Sequence, residues 1–315
     1  MSGGRTEVSG GEAPRLIVLA GPTASGKTTL ACELAQRLDA EIVSADSQQC
    51  YRGLDVGTAK PTQEERALAR HHLLDVAEPE EQLDAGAYVR LADAAIADLL
   101  ARGKRALVVG GTGLWIRALV KGLLAAPGAD PQVRERLRAE FERDGAPAVH
   151  ARLAAIDPDA AAAIRPNDRV RIERALEVFE LSGERLSVLQ RAHRFSEQRY
   201  QALTFVLDPP RELLAGRITA RTRAMFASGD LERETRMLLE RGARKALKII
   251  GYGECAEALE GRCTLAQAEE RTLARTRQYA KRQRTWFARE NRAVAWPPDA
   301  AGLCEAALQW YLSAG

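Results

Sequence analysis

The fold of this chain is decided by an eight-residue loop, Gly21-Pro22-Thr23-Ala24-Ser25-Gly26-Lys27-Thr28. The loop follows the apolar run 16–20, Leu-Ile-Val-Leu-Ala, which is typical of a buried parallel strand. It precedes Leu30, Leu34 and Leu38, whose spacing predicts a helix. Glycines between a strand and a helix let backbone N–H groups face phosphate oxygens at the helix N-terminus. The segment therefore predicts a polyphosphate-binding loop.

Two residues of this phosphate loop (residues 21–28) have specific tasks in such a site. Lys27 supplies a point charge, and the Thr28 hydroxyl is a ligand for phosphate-bound Mg²⁺. We therefore predict diphosphate binding by residues 21–28 and metal binding by Thr28. A Gly-rich turn with a solvated lysine is the alternative. The pattern does not identify the ligand, because a nucleoside triphosphate and any other diphosphate with Mg²⁺ present similar oxygens.

Further apolar runs alternate with helical patterns along the chain. Strands are predicted at 41–45, 106–109 and 203–207, and a helix at 84–101. This alternation predicts an α/β fold with a mostly parallel sheet, which together with the loop indicates a P-loop NTPase-like core.

The middle of the chain differs in amino-acid composition from the predicted core. Residues 125–199 are rich in Ala, Arg and Glu, are interrupted by prolines, and predict about four short helices, one of them capped by Asp168. We expect a flexible tail at 1–14, a core from 15–124 and 200–315, and an all-helical insertion at 125–199.

Composition excludes several classes of protein. The 315 residues carry a net charge of +3 and are 46% hydrophobic, which is ordinary for a soluble globular protein. No run approaches the ~18 apolar residues of a membrane helix, and the polar start has no signal core, so we expect a cytoplasmic protein without membrane contact. Five cysteines without a CxxC pair argue for a reducing compartment and against structural zinc. His71-His72 lacks a nearby third ligand and favours a structural role.

Asp46 follows the second predicted strand, at the sheet edge where open α/β proteins bind ligands. Three roles are open to it. It can hold Mg²⁺ indirectly as a Walker-B-like acid, take a proton from an acceptor nucleophile as a general base, or cap a helix.

A second glycine-rich turn follows the strand at 106–109. Its residues are Gly110, Gly111, Thr112 and Gly113. The glycines would bring the backbone close to a ligand, which the Thr112 hydroxyl could contact. The alternative is a tight strand-to-helix turn.

Charge is distributed unevenly along the chain. Residues 211–292 contain 19 Lys/Arg against 11 Asp/Glu, a local +8, whereas 125–199 contain 13 Arg and 13 acids. Within the first segment, 271–287 is a basic helix interleaved with aromatics. It fits either a polyanion footprint or a solvated helix with Trp286 and Phe287 packed inward. The insertion has no net charge, so it would bind a polyanion only through a few individually positioned arginines.

Taken together, nine segments between about residues 15 and 290 resemble the tRNA dimethylallyltransferases (tRNA isopentenyltransferases). They are GPTASGKT, DSQQCYRGLDVGTAKP, HHLLD, VVGGTGLW, ADPQVR, IRPNDRVRIERALEV, RITARTRAM, IIGYGE and TRQYAKRQRTWF. The resemblance implies transfer of a dimethylallyl group from dimethylallyl diphosphate to N6 of the adenosine 3′ to the anticodon, with release of diphosphate. The phosphate loop would then hold the donor's diphosphate, with Mg²⁺ as cofactor.

The resemblance also implies roles for individual residues. Arg221 matches the catalytic arginine, Asp46 would be the base and Thr112 would position substrate. Contacts to the tRNA anticodon stem-loop are expected from Asp46, Ser47, Gln48, Gln49, Thr112, Arg134, Arg171, Arg174, Lys248, Gly251 and Tyr252. Arg174 could instead pair with Glu173 or Glu177. We expect no obligate protein partner and a monomer.

Two other functions remain open from the sequence. A P-loop kinase acting on a nucleotide or small molecule would use Asp46 for metal and arginines for phosphoryl transfer. A non-catalytic RNA-binding module is the other.

Overall fold

The computed structural model describes residues 13–124, 126–193, 198–289 and 293–313. Of the tail expected at 1–14, residues 1–12 lie outside these ranges. The chain divides into two compact units, Met1–Val120 with Arg199–Gly315, and Lys121–Gln198. The first contains the sheet, and the second is helical.

Six parallel strands form the sheet of the first unit, as far as its described residues show. They are β1 (Arg15–Ala20), β2 (Ala40–Ser44), β3 (His71–His72), β4 (Arg105–Gly110), β5 (Gln201–Leu207) and β6 (Ala293–Val294), in the spatial order β3-β2-β4-β1-β5-β6. The four strands predicted from sequence are confirmed. The two short edge strands were not predicted, because two residues carry no periodicity.

Thirteen α-helices are present in the described part of the chain. They are α1 (Lys27–Leu38), α2 (Gln63–Leu68), α3 (Ala85–Ala101), α4 (Gly113–Lys121), α5 (Pro131–Ile156), α6 (Pro158–Ala163), α7 (Arg169–Ser182), α8 (Leu186–His193), α9 (Arg211–Ala227), α10 (Asp230–Glu240), α11 (Tyr252–Leu259), α12 (Leu265–Phe287) and α13 (Ala300–Leu312).

Both faces of the sheet are covered, which explains why β1 is apolar throughout. Leu16 and Val18 face a core shared with α3, α4 and the end of α12. Ile17 and Leu19 face a core shared with α1 and α13. Side chains alternate between the faces of a strand, so a strand buried on both sides must be apolar at every position. The mostly parallel α/β fold expected from the sequence is confirmed.

The helical unit contains α5 to α8 around its own core, which includes Leu137, Leu153 and Leu176. Gly145, at φ 80°, interrupts α5 two residues before Pro147. Asp168 accepts a hydrogen bond from the Arg171 N–H, so the predicted cap of α7 is confirmed. In the described ranges no helix has the length and apolarity required to cross a membrane.

Strand order determines what meets at one edge of the sheet. β4 lies between β1 and β2, and β5 lies beside β1. The loops that follow β1, β2 and β4 therefore emerge side by side at the carboxyl edge, where ligands of open α/β sheets bind.

Candidate active site

The phosphate loop has the backbone conformation of an anion cradle. Ala24 and Gly26 both have left-handed φ values, 62° and 88°, and Gly26 is the N-cap of α1. Alternating handedness turns successive N–H groups inward, and the α1 N-terminus adds its dipole. Gly26 has no Cβ and adopts this conformation without steric cost.

The Lys27 ammonium group is hydrogen-bonded to backbone carbonyls of the phosphate loop. Its Nζ donates to the carbonyl oxygens of Gly21 (2.9 Å) and Pro22 (2.6 Å). Burial lowers the pKa of Lys27 to about 8; the negative charge of Asp46 opposes this shift and the positive charge of Arg221 adds to it. A bound diphosphate would restore the ammonium form by offering it an opposite charge.

Arg221, on α9, reaches the same loop from the opposite side. Its Nη1 donates to the Thr23 hydroxyl over 3.0 Å. Burial lowers the pKa of this guanidinium and Asp46 opposes the shift, but an arginine remains charged at any ordinary pH. Two cations thus converge on the loop predicted to bind diphosphate.

Arg217 is a loop contact that the sequence analysis missed. Its Nη1 donates to the Ser25 carbonyl (3.2 Å), and its guanidinium carbon lies 5.3 Å from the centroid of the Trp296 ring. The available signal was spacing, since Arg217 precedes Arg221 by four residues and shares its helix face.

Asp46 and Thr112 are joined through Ser47. The Ser47 N–H donates to the Thr112 hydroxyl oxygen (3.0 Å), and the Thr112 N–H donates to the Ala45 carbonyl (3.1 Å). Asp46 Oδ1 accepts from the Gln48 N–H (2.9 Å). The residues that follow Asp46 form turns rather than a helix, so a helix-cap role for Asp46 is excluded.

A cavity of about 710 Å³ adjoins the phosphate loop. It is lined by loop residues together with Asp46, Gln49, Arg217, Arg221, Gln283 and Trp296. A narrower space of about 30 Å³ is lined by Thr23, Asp46 and Arg221, which line both, and by Gln48, Ile218, Met225 and Tyr279. Asp46 and Arg221 therefore lie where a ligand on the phosphate loop would meet the narrower space.

Tyr279, on α12, was also missed. Burial raises the pKa of its phenol and the charge of Asp46 adds to the shift, whereas a hydrogen bond with Thr112 opposes it. It lies within a segment quoted for the resemblance, but an aromatic in a basic helix had no feature that separated a site role from packing.

Three glycines at the end of β4 and just after it pack closely against other parts of the protein, and Gly110 also lines the cavity. A Cβ on Gly110 would lie 2.2 Å from the Ala45 carbonyl oxygen, and one on Gly111 would lie 2.2 Å from Gln283 Nε2. A Cβ on Gly113 would lie 2.1 Å from the Trp286 indole nitrogen. That these glycines bring the backbone close to a ligand stays a prediction, and Thr112, between them, lies beside Ser47.

Tyr252 and Gly251 are interior residues. Tyr252 is fully buried, and its hydroxyl donates to Glu234 over 2.5 Å. Glu234 also accepts N–H bonds from Asp55 and Val56, at 3.0 and 2.9 Å. Direct tRNA contact by the Tyr252 side chain is therefore contradicted, because it is enclosed by the loop that it holds. Lys248, by contrast, is exposed.

The arginines predicted to bind RNA in the helical unit fall into two groups. Arg134 and Arg174 both pair with Glu177, whose side chain is 0% exposed. The Arg134 pair joins α5 to α7, whereas the Arg174 pair lies within α7 and confirms the alternative expected for that arginine. Contact of either arginine with RNA stays a prediction. Arg171 is 70% exposed and lies 3.5 Å from its neighbour Asp168. It alone of the three presents most of its side chain to solvent.

The side chains of Gln48 and Gln49 have different surroundings. The Gln49 amide donates to the Ala59 carbonyl (2.9 Å), whereas Gln48 lines the narrower space. Gln48 is therefore better placed to contact a base.

The basic helix α12 has aromatic side chains packed inward and basic side chains nearer its surface. Phe287 is buried, and Arg117 stacks on the Trp286 ring at 4.2 Å. Arg284 pairs with Asp208, whereas Lys281 is exposed. Inward aromatic packing is confirmed, and a polyanion footprint stays a prediction.

The residues present fit a Mg²⁺ ion held largely by its substrate. Within the described ranges no group of three His, Cys, Asp or Glu side chains could hold a metal alone. Mg²⁺ commonly uses one or two protein oxygens, phosphate oxygens and water, for which the Thr28 hydroxyl at the head of α1 is suited. His72 contacts Glu41 (2.7 Å), and His71 contacts the Ala69 carbonyl (2.8 Å), as expected of structural histidines.

The geometry can be compared with known proteins. A family model described as IPP transferase matches residues 49–290. A tRNA dimethylallyltransferase of Anaeromyxobacter dehalogenans (strain 2CP-C) is 58% identical over 288 residues, covering 90% of this chain and 95% of that protein. The chain belongs to the IPP transferase family. The Myxococcus xanthus relative of the same name is 49% identical and covers 93% of this chain and 96% of its own.

Solved structures of the family share the fold. A tRNA isopentenylpyrophosphate transferase from Staphylococcus epidermidis is 32% identical, with a TM-score of 0.66, and the match covers 96% of this chain and all of that one. A eukaryotic dimethylallyltransferase acting on tRNA has a TM-score of 0.80 at 26% identity, covering 96% of this chain and 80% of that one. The P-loop NTPase-like core expected from the sequence is thereby confirmed, and the kinase alternative is not favoured.

Proposed function

We propose that this enzyme transfers a dimethylallyl group from dimethylallyl diphosphate to N6 of the adenosine 3′ to the anticodon of tRNA. The observation that carries the proposal is the convergence of the phosphate loop, Lys27 and Arg221 on one side of a cavity that Asp46 also lines. Cations suit a diphosphate leaving group, and a carboxylate suits removal of an amine proton. The names of the relatives, tRNA dimethylallyltransferases, support the dimethylallyl group and the tRNA acceptor.

In the proposed reaction, the bond between the allylic carbon and the diphosphate oxygen breaks while a bond from that carbon to N6 forms. Negative charge accumulates on the departing diphosphate. Lys27, Arg221 and the loop N–H groups stabilise that charge from fixed positions, which avoids reorganisation during the reaction. A Mg²⁺ ion on Thr28, when bound, neutralises part of the same charge.

The acceptor amine must be activated as a nucleophile. The N6 lone pair is delocalised into the adenine ring, so the amine is a poor nucleophile. Asp46 would take the N6 proton, a step typically worth about 10²–10⁴-fold in rate. Thr112, tied to Ser47 beside Asp46, would orient the base.

The adenosine must leave its stack to reach this cavity, at a cost of a few kcal/mol. RNA loops are recognised by phosphate contacts, stacking and base-edge hydrogen bonds together. Gln48 lines the narrower space and suits a base edge, whereas Arg171 and Lys248 are exposed and suit phosphates of the anticodon stem-loop. Every residue assigned to the chemistry comes from one chain, so a monomer suffices.

The test is incubation of the protein with labelled dimethylallyl diphosphate, Mg²⁺ and unmodified tRNA. We expect label on the adenosine 3′ to the anticodon, stoichiometric diphosphate, no ATP turnover and loss of transfer on chelation of Mg²⁺. A tRNA with guanosine at that position is the matched control and should remain unlabelled. ATP hydrolysis without labelled tRNA would overturn the proposal in favour of a kinase.

A further inference from the structure

Gln283 lies on α12 and is 5% exposed. Its Oε1 accepts the backbone N–H of Thr23 (2.9 Å), and its Nε2 donates to the Gly111 carbonyl (2.9 Å). Thr23 belongs to the phosphate loop and Gly111 to the turn after β4. One buried amide from the end of the chain thus joins the two loops that the proposed function assigns to donor and acceptor.

Each hydrogen-bond partner of Gln283 is directly linked to a group proposed for catalysis. The Thr23 hydroxyl accepts a hydrogen bond from Arg221, so the same loop residue is held by its backbone and by its side chain. Gly111 precedes Thr112, which binds Ser47 next to Asp46. The bridge formed by the Gln283 amide therefore connects Arg221, assigned to the leaving group, with Thr112 and Asp46, assigned to the nucleophile.

The surrounding sequence makes room for this contact. A Cβ at position 111 would lie 2.2 Å from Gln283 Nε2, so only glycine permits the amide to approach. The Thr23 N–H is already occupied by Gln283, which leaves phosphate binding to the N–H groups later in the loop. A buried amide with both ends satisfied is costly to replace, because either loop partner would be left unpaired.

We propose that Gln283 is a positioning residue that fixes the distance between the diphosphate-binding loop and the Asp46–Thr112 pair. This inference rests on the proposed transferase function. Reaction requires the allylic carbon and N6 to be held at about 3–3.5 Å, and a misplacement of about 1 Å can cost on the order of 10²-fold in rate. Each substrate contacts one loop, so loss of the bridge should affect their relative placement more than the binding of either.

The experiment separates binding from transfer. Gln283→Leu removes both hydrogen bonds, and Gln283→Glu keeps the volume and the acceptor for Thr23 but loses the donor to Gly111. For each folded variant, the single-turnover rate with both substrates saturating is compared with the dissociation constants of tRNA and of dimethylallyl diphosphate measured separately. Gln278→Leu, an exposed change on the same helix, is the control.

We expect single-turnover rates to fall about 10- to 100-fold in both variants while each dissociation constant changes less than about threefold. Gly111→Ala should reproduce this pattern, because its Cβ displaces the amide, and it gives an independent reading if Gln283→Leu does not fold. A rate within threefold of wild type in Gln283→Glu or Gly111→Ala, or a loss explained by weaker binding of one substrate, would overturn the inference. Failure of the wild-type protein to modify tRNA would instead refute the proposed function.

Discussion

Arg221 Nη1 lies 3.0 Å from the Thr23 hydroxyl, so a guanidinium from α9 closes over the phosphate loop of β1, almost two hundred residues earlier in the chain. Arg221→Gln should lower the rate of transfer by about 10²–10³-fold, because it removes a fixed donor from the leaving group. Steady-state kinetics with labelled donor measure the effect. Arg223→Gln, whose side chain is 74% exposed two residues further along, should leave the rate unchanged.

Asp46→Asn should remove the base while preserving the local turn. The amide oxygen still accepts the Gln48 N–H, so donor and tRNA affinities should be retained. We expect transfer to fall by about 10²–10⁴-fold in single-turnover assays. A variant that keeps its rate within threefold would show that Asp46 is not the base.

Arg174→Ala and Arg171→Ala should have opposite phenotypes although they lie on one helix. Arg174 donates to the buried Glu177 over 2.7 Å, and its removal should destabilise the protein by about 1–3 kcal/mol, measured by urea unfolding. Arg171 is exposed, so its removal should leave unfolding unchanged.

The same Arg171 variant should bind tRNA more weakly. The slope of log affinity against log salt concentration should become shallower by about one. Filter binding across a salt series measures both. Unchanged tRNA affinity in Arg171→Ala would assign this arginine a structural role.

Tyr252→Phe should destabilise the protein because its hydroxyl donates to the buried Glu234. Hydrogen bonds to charged groups are worth about 1.5–3 kcal/mol, and thermal and urea unfolding would report the loss. The matched control is Tyr88→Phe. The Tyr88 hydroxyl is buried and has no hydrogen-bond partner among the residues that the structure describes, so its removal should be neutral or stabilising. Equal losses in the two variants would contradict the assigned role of Tyr252.

Donor affinity should depend on the protonation of Lys27. With a pKa of about 8 in the donor-free protein, the ammonium is present below that pH and lost above it. A diphosphate stabilises the charged form, so binding above pH 8 takes up a proton and affinity falls as pH rises. Calorimetry in buffers of different ionisation enthalpy detects this uptake. Lys27→Arg remains charged and should show no such fall between pH 7 and 9.5.

Prediction from sequence succeeded where chemistry is local. The phosphate loop, the four longer strands and the Asp168 cap depend on adjacent residues, and their patterns identified them. It failed for the Tyr252 side chain, since motif membership does not distinguish contact with a ligand from burial inside the protein. Nor did the sequence predict that Arg134 pairs with Glu177, which lies 43 residues away.

By itself, the sequence determined a strand–loop–helix unit with the backbone conformation of an anion cradle, because backbone handedness and a helix N-terminus are properties of a few consecutive residues. Only the tertiary structure decided which distant side chains meet that loop. The sheet places β4 between β1 and β2, and α9 and α12 return across its edge, so Arg221 and Gln283 reach Thr23 from positions 198 and 260 residues away. Such contacts arise from packing of whole elements, for which no spacing within the chain provides a signal.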